Sequence, residues 1–166
     1  MSTYEPVSFP KMPTKSEKEI KALTKSLYQI FSFRRTIRNF SDIPISEEVI
    51  QNCIKIAAMA PSGANHQPWH FVAISSKKIK MKIRHAAEKE EKKFYSSLNH
   101  DEWLRALEPI GTGPNKLHLE KAPWLIVIFA ERYGIKTDGS TYKNYYVPES
   151  VGIACGFLIS AIHQAG

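Results

Sequence analysis

The apolar positions divide the chain into a short run of elements. Ser16 and Glu19 form a capping-box signal, and behind them Ile20, Leu23, Leu27, Ile30 and Phe31 recur at helical spacing. This predicts a helix to about Ser32. Residues 34–40 (RRTIRNF) read as extended or a turn, and Pro44 breaks the chain. Ser46, Glu47 and Glu48 then place a cap and two acids at the start of a second helix, whose stripe is Ile50, Cys53, Ile54 and Ala57. A loop over 60–68 (APSGANHQP) leads into a strand over 69–75 (WHFVAIS). A long helix is expected over 76–97. Residues 101–121 carry a weaker pattern, with a mobile insert at Gly111, Gly113 and Pro114. A buried strand without alternation follows over 124–130, then a turn at Asp138-Gly139, then a last helix over 145–165.

The resulting order is α, α, β, α, β, α, which points to an α+β or α/β sandwich. The expected strands are too few for a complete sheet. Either other chains complete it, or the protein continues past Gly166. The 166 residues suit one domain, taken as residues 15–166, preceded by an extended, proline-containing arm over 1–14. No apolar run reaches the roughly 18 residues of a membrane span; the longest, residues 151–162, reads as a buried helix. There is no secretory h-region at the N-terminus. Gly152, Gly156 and Ser160 share a stripe on that last helix and predict a crowded helix–helix contact, within one subunit or between two.

Charge changes the picture little. The net charge of +7 suggests an acidic partner or an anionic small molecule. The basic stretch 77–93 is interspersed with Glu88, Glu90 and Glu91, the pattern of a solvated helix face. It lacks the interleaved aromatics of a nucleic-acid surface, so no nucleic-acid partner is expected. Cys53 and Cys155 lie in apolar helical patterns and read as buried, reduced thiols of a cytoplasmic protein. No metal-ligand spacing is present, and His66 and His70 are separated by Pro68.

Three features carry candidate chemistry. Arg34, Arg35 and Arg38 follow the first helix closely. They are either a solvated helix end suited to the dipole or a forked clamp for an anion such as phosphate. In the 60–68 loop, Pro61 and Pro68 stiffen the chain, Gly63 permits a close backbone approach, Ser62 offers a hydroxyl, and successive N–H groups can form an anion nest. The bland reading is a helix-to-strand connection, although the loop is longer than that requires. Glu91 and Tyr95 share a helix face. They are either a partly exposed surface or part of a lid over about 88–116, where, with Lys116, they could hold an ammonium and a carboxylate.

RRTIR followed by APSGANHQPWHFV resembles the nitroreductase superfamily of FMN-dependent oxidoreductases, and the similarity runs from about Phe33 to Gly166. KIRHAAEKEEKKFY, the segment 116–123 and YYVPESVGIACG resemble the branch of that superfamily that dehalogenates halotyrosines, in a soluble, bacterial form. The resemblance implies a nitroreductase-like α+β sandwich, with a mixed or antiparallel sheet flanked by helices, in a domain-swapped homodimer. It implies FMN held by Arg34, Arg35, Thr36 and Arg38, with Pro61, Ser62 and Gly63 against the ring. It also implies a halotyrosine whose phenolate takes the Ala64 backbone N–H and whose amino-acid end meets Glu91, Tyr95 and Lys116. The implied reaction is reductive removal of halogen, with NAD(P)H or a separate reductase as electron source and no side chain acting as nucleophile. The alternatives are a general nitro- or quinone reductase using the same flavin, and a non-catalytic halotyrosine binder. The superfamily pattern continues beyond Gly166 with further flavin contacts and an exchanged strand, which this sequence does not contain.

Overall fold

The computed structural model describes residues 5–6, 8–96 and 101–166. The chain forms two compact units, Met1–Arg35 and Thr36–Gly166. The first is built on helix α1 (Glu17–Ser32), which starts as the capping signal requires. The Ser16 hydroxyl accepts the Glu19 N–H, and the Glu19 carboxylate accepts the Ser16 N–H at 2.7 Å. The expected apolar stripe is present, but none of the helix's residues is buried.

The second unit contains α2 (Glu47–Ala57), β1 (Trp69–Ile74), α3 (Lys77–Ser96), α4 (Asp101–Leu107), α5 (His118–Lys121), β2 (Leu125–Ala130), β3 (Tyr133–Ile135), β4 (Thr141–Lys143) and α6 (Val147–Gln164). β1 and β2 pair antiparallel, Trp69 opposite Ala130 and Ile74 opposite Leu125. This decides for α+β. The core lies where α2 and α6 cover one face of this ribbon: Cys53 and Ala57 meet Leu158 and Ala161, backed by Phe71, Ile126 and Ile128. Ser46 occupies the α2 cap position, but its hydroxyl makes no capping bond. The Trp124 indole N–H donates to the Ile45 carbonyl at 2.9 Å, tying the residues before α2 to the entry of β2.

Three expectations need correction. β2 is not fully buried: residues 125–128 are half-covered and Phe129 is 55% exposed, because helices shield only one face of the two-stranded ribbon. α6 buries a single stripe (Val147, Ser150, Ala154, Leu158, Ala161), while Ile153, Phe157, Ile159 and Ile162 are exposed and Cys155 is half-buried. Among the described residues nothing outside the helix's own backbone lies within 4 Å of a Cβ placed at Gly152 or Gly156, so these two glycines meet no other element there. The Asp138-Gly139 turn belongs to a small antiparallel hairpin, β3–β4, whose three-residue strands carry too little pattern to be read beforehand.

Candidate functional site

The loop between α2 and β1 is held in a strained form. Ala64, Asn65 and Gln67 adopt φ of 50°, 55° and 49°, as does Tyr146 (51°) at the start of α6. Left-handed backbone costs a non-glycine residue about 1–3 kcal/mol, and such strain collects at functional sites. The Ser62 hydroxyl accepts the Gln67 N–H at 2.9 Å, and its carbonyl accepts the Asn65 N–H at 3.0 Å. Gly63 donates its N–H to the Ser150 hydroxyl at 3.2 Å, across to α6. The close approach that Gly63 permits is to this helix entry rather than to open space: a Cβ there would lie 2.9 Å from the Tyr145 carbonyl and 3.0 Å from the Tyr146 ring. His66 Nδ1 lies 2.9 Å from the Asn144 side-chain oxygen Oδ1, and the Asn144 Nδ2 donates to the Glu131 carbonyl. An accepting Asn144 oxygen requires the proton on His66 Nδ1. Pro68 is fully buried behind the loop, and Ala64 is exposed.

Of the arginines, Arg35 turns its guanidinium back onto the end of α1, 2.8 Å from Ser32 O and 2.7 Å from Arg34 O. That is the helix-end arrangement the dipole favours. Arg34, Thr36 and Arg38 are exposed. Arg38 lines a cleft of about 360 Å³ with Phe40, Asp42, Leu117, His118 and Lys121. Burial holds the His118 imidazole below its ordinary pKa, and the charges of Lys116 and Arg38 push the same way. The cleft lining thus carries Arg38, His118 and Lys121 against one acid, Asp42, a field that suits an anion.

Glu91 and Lys116 meet: Nζ lies 3.0 Å from Oε2, bringing α3 against the segment before α5. Tyr95 lies one turn further on the same helix, half-buried, with its ring edge-on to Phe94. The two charges compensate each other, and a ligand bearing one ammonium and one carboxylate can replace each with the other's complement. The lid expected over 88–116 includes residues 97–100, which lie outside the described residues. Among the described residues no hydrogen bond or ion pair joins the Pro61–Ala64 loop to the Glu91–Lys116 pair. The first is tied to the entry of α6, the second to α3 and the residues before α5.

Several site residues escaped the sequence reading, which took the basic stretch of α3 for a solvated face. Lys80 is 4% exposed and donates to the Ala122 and Pro123 carbonyls at 2.5 and 3.2 Å. Arg84 binds Glu88 and Glu120, both at 2.8 Å. The available signal was the four-residue spacing of 80, 84 and 88, which puts all three on one side of the helix.

The nitroreductase family model matches residues 32–166. The chain belongs to the nitroreductase family. It is 53% identical over 148 residues to an iodotyrosine deiodinase of Haliscomenobacter hydrossis, covering 89% of this chain and 67% of that protein. It is 40% identical to an iodotyrosine deiodinase of Hydra vulgaris, covering 91% of this chain and 56% of that one. Among solved structures it is similar to oxidized iodotyrosine deiodinase bound to FMN and 3-iodo-L-tyrosine, with a TM-score of 0.71 and 32% identity over 84% of this chain and 70% of that one. An FMN-dependent nitroreductase of Clostridium difficile, at 22% identity and a TM-score of 0.60, shares the fold. The chain spans from about half to two thirds of the length of the curated relatives it matches. Among the described residues no helix is long and apolar enough to cross a membrane.

Proposed function

We propose that this protein is an FMN-dependent enzyme that reductively dehalogenates halotyrosines such as 3-iodo-L-tyrosine. The observation that carries the reading is the Glu91–Lys116 pair beside Tyr95. A carboxylate and an ammonium facing each other in a partly shielded site suit the two ends of a zwitterion, which a general nitro- or quinone reductase has no reason to hold. The similarity to iodotyrosine deiodinases along most of the chain supports the same substrate class.

The residues present fit FMN. Guanidinium and hydroxyl donors at Arg34, Arg35, Thr36 and Arg38 suit a phosphate and an anionic flavin edge. An anion near Arg38 would also offset the charges of Lys116 and Arg38 that act on the half-buried His118. Pro61, Ser62 and Gly63 would lie against the flavin ring, on a loop whose backbone is already fixed by Ser150 and Ser62. When bound and reduced, FMN would supply the two electrons for replacing halogen by hydrogen with release of halide, NAD(P)H or a separate reductase being the electron source. The chain's part is binding and orientation. Glu91 accepts from the substrate ammonium, Lys116 and Tyr95 donate to its carboxylate, and the Ala64 N–H holds the phenolate oxygen. That last bond places negative charge opposite a backbone dipole, where a strained, preformed loop needs no rearrangement to receive it. The protein works as a homodimer in the cytoplasm in this reading; the exposed apolar face of α6 supports self-association.

Replacing Glu91 by Gln tests the substrate site. The variant should bind 3-iodo-L-tyrosine roughly tenfold or more weakly, the effect of a charge-assisted bond, and retain its flavin. Unchanged affinity in titration calorimetry would remove Glu91 from the site.

A further inference from the structure

Four side chains of α3 meet one short stretch of chain. Lys80, Arg84, Glu88 and Glu91 fall on one side of the helix, three or four residues apart. Lys80 holds the Ala122 and Pro123 carbonyls, Arg84 holds Glu120, Glu88 accepts the Lys116 backbone N–H at 2.9 Å, and Glu91 takes the Lys116 ammonium. The stretch therefore runs antiparallel to α3 and is fastened at successive turns. Lys116 is gripped twice, at its main chain and at its side chain, by two carboxylates on the same helix.

Glu88 is built for that grip. Its Oε1 receives both the Lys116 N–H and the Arg84 Nε, and Arg84 is fixed in turn by Glu120. The Glu88 side chain is 16% exposed and that of Arg84 22%, so water competes little for these bonds. The Arg84 guanidinium and the Lys116 N–H hold the Glu88 carboxyl below its ordinary range, and it stays ionised through neutral pH. Glu88 Oε1 thus takes two fixed donors, whereas the ion pair of Glu91 among the described residues is with the ammonium of a flexible lysine. A lysine is a point charge on a rotatable four-carbon chain, and its position depends on where its main chain is pinned.

Resting on the substrate reading above, we propose that Glu88, oriented by Arg84, is a positioning residue that sets Lys116 for the carboxylate of the halotyrosine. Glu88 itself does not touch the substrate. It fixes the main chain from which the Lys116 ammonium reaches, so that ammonium and Glu91 stand at the separation of an amino acid's two charges.

The test is a double-mutant cycle on the FMN-loaded full chain, read by calorimetric titration with 3-iodo-L-tyrosine. Glu88→Ala should weaken binding about tenfold and Glu88→Gln only about threefold, because the amide oxygen still accepts the Lys116 N–H. Flavin content should match the parent in both; should the Ala variant fail to fold, Glu88→Gln carries the cycle. In a Lys116→Met background the same Glu88 changes should cost less than about twofold, the non-additivity of residues acting through one another. Losses of equal size in both backgrounds, or no loss at Glu88 while Lys116→Met weakens binding, would overturn the positioning role and leave the substrate site standing. Unchanged affinity in Lys116→Met would overturn both.

Discussion

His118 lies among cations that oppose its own protonation. Burial, Lys116 and Arg38 all keep its folded-state pKa below the ordinary 6.5. As pH falls through that value, the unfolded chain takes up a proton that the folded chain refuses, so stability drops; below the folded pKa the loss levels off. The parent should therefore lose part of its urea midpoint between pH 7.5 and 5.5, and His118→Gln should lose less over the same interval. An identical pH slope in both proteins would show that His118 stays solvated. The strained loop was less legible at this scale. Its glycine drew attention, yet the left-handed positions are Ala64, Asn65 and Gln67, and Gly63 is there because Tyr145 and Tyr146 crowd it. The loop is tied to Ser150 and crowded by Tyr145 and Tyr146 at Gly63, contacts distant in sequence that a local reading does not reach.

At the scale of elements, patterning was informative where one chain supplies both partners. α1, α2, β1, α3, β2 and α6 each begin and end within a few residues of the periodicity reading. The hairpin β3–β4 was legible only as a turn, since three-residue strands have no period to detect. The polar seam of α3 was missed because mixed charge usually marks solvent, and only the fold reveals that 116–123 lies opposite it. α6 is the instructive case. Its continuous apolar character predicts burial on all sides, yet one stripe alone is buried here. The exposed Ile153, Phe157 and the open Gly156 stripe are the face expected to meet a second copy. Gly156→Leu should keep the helix, since among the described residues nothing outside the helix's own backbone lies within 4 Å of a Cβ there, and, in the homodimer proposed above, should shift sedimentation toward monomer. A variant that stays dimeric would locate the subunit contact elsewhere.

For the molecule as a whole, the family follows from the match over residues 32–166, and the proposed chemistry rests on groups carried by separate elements of that scaffold. A basic cleft at Arg38, His118 and Lys121 suits an anionic cofactor edge. In the proposal above, the Glu91–Lys116 pair holds the amino-acid end of the substrate and the loop at Ala64 receives its phenol end. These parts sit on separate elements, which is the arrangement needed if the substrate bridges them over the flavin. The most direct measurement is anaerobic release of iodide from 3-iodo-L-tyrosine by the chemically reduced, FMN-loaded protein. Iodide released in at least stoichiometric amount, with tyrosine as the organic product, is the predicted result. Flavin bound and reduced, with no iodide formed, would contradict the account and return Glu91, Tyr95 and Lys116 to the surface of a general flavin reductase.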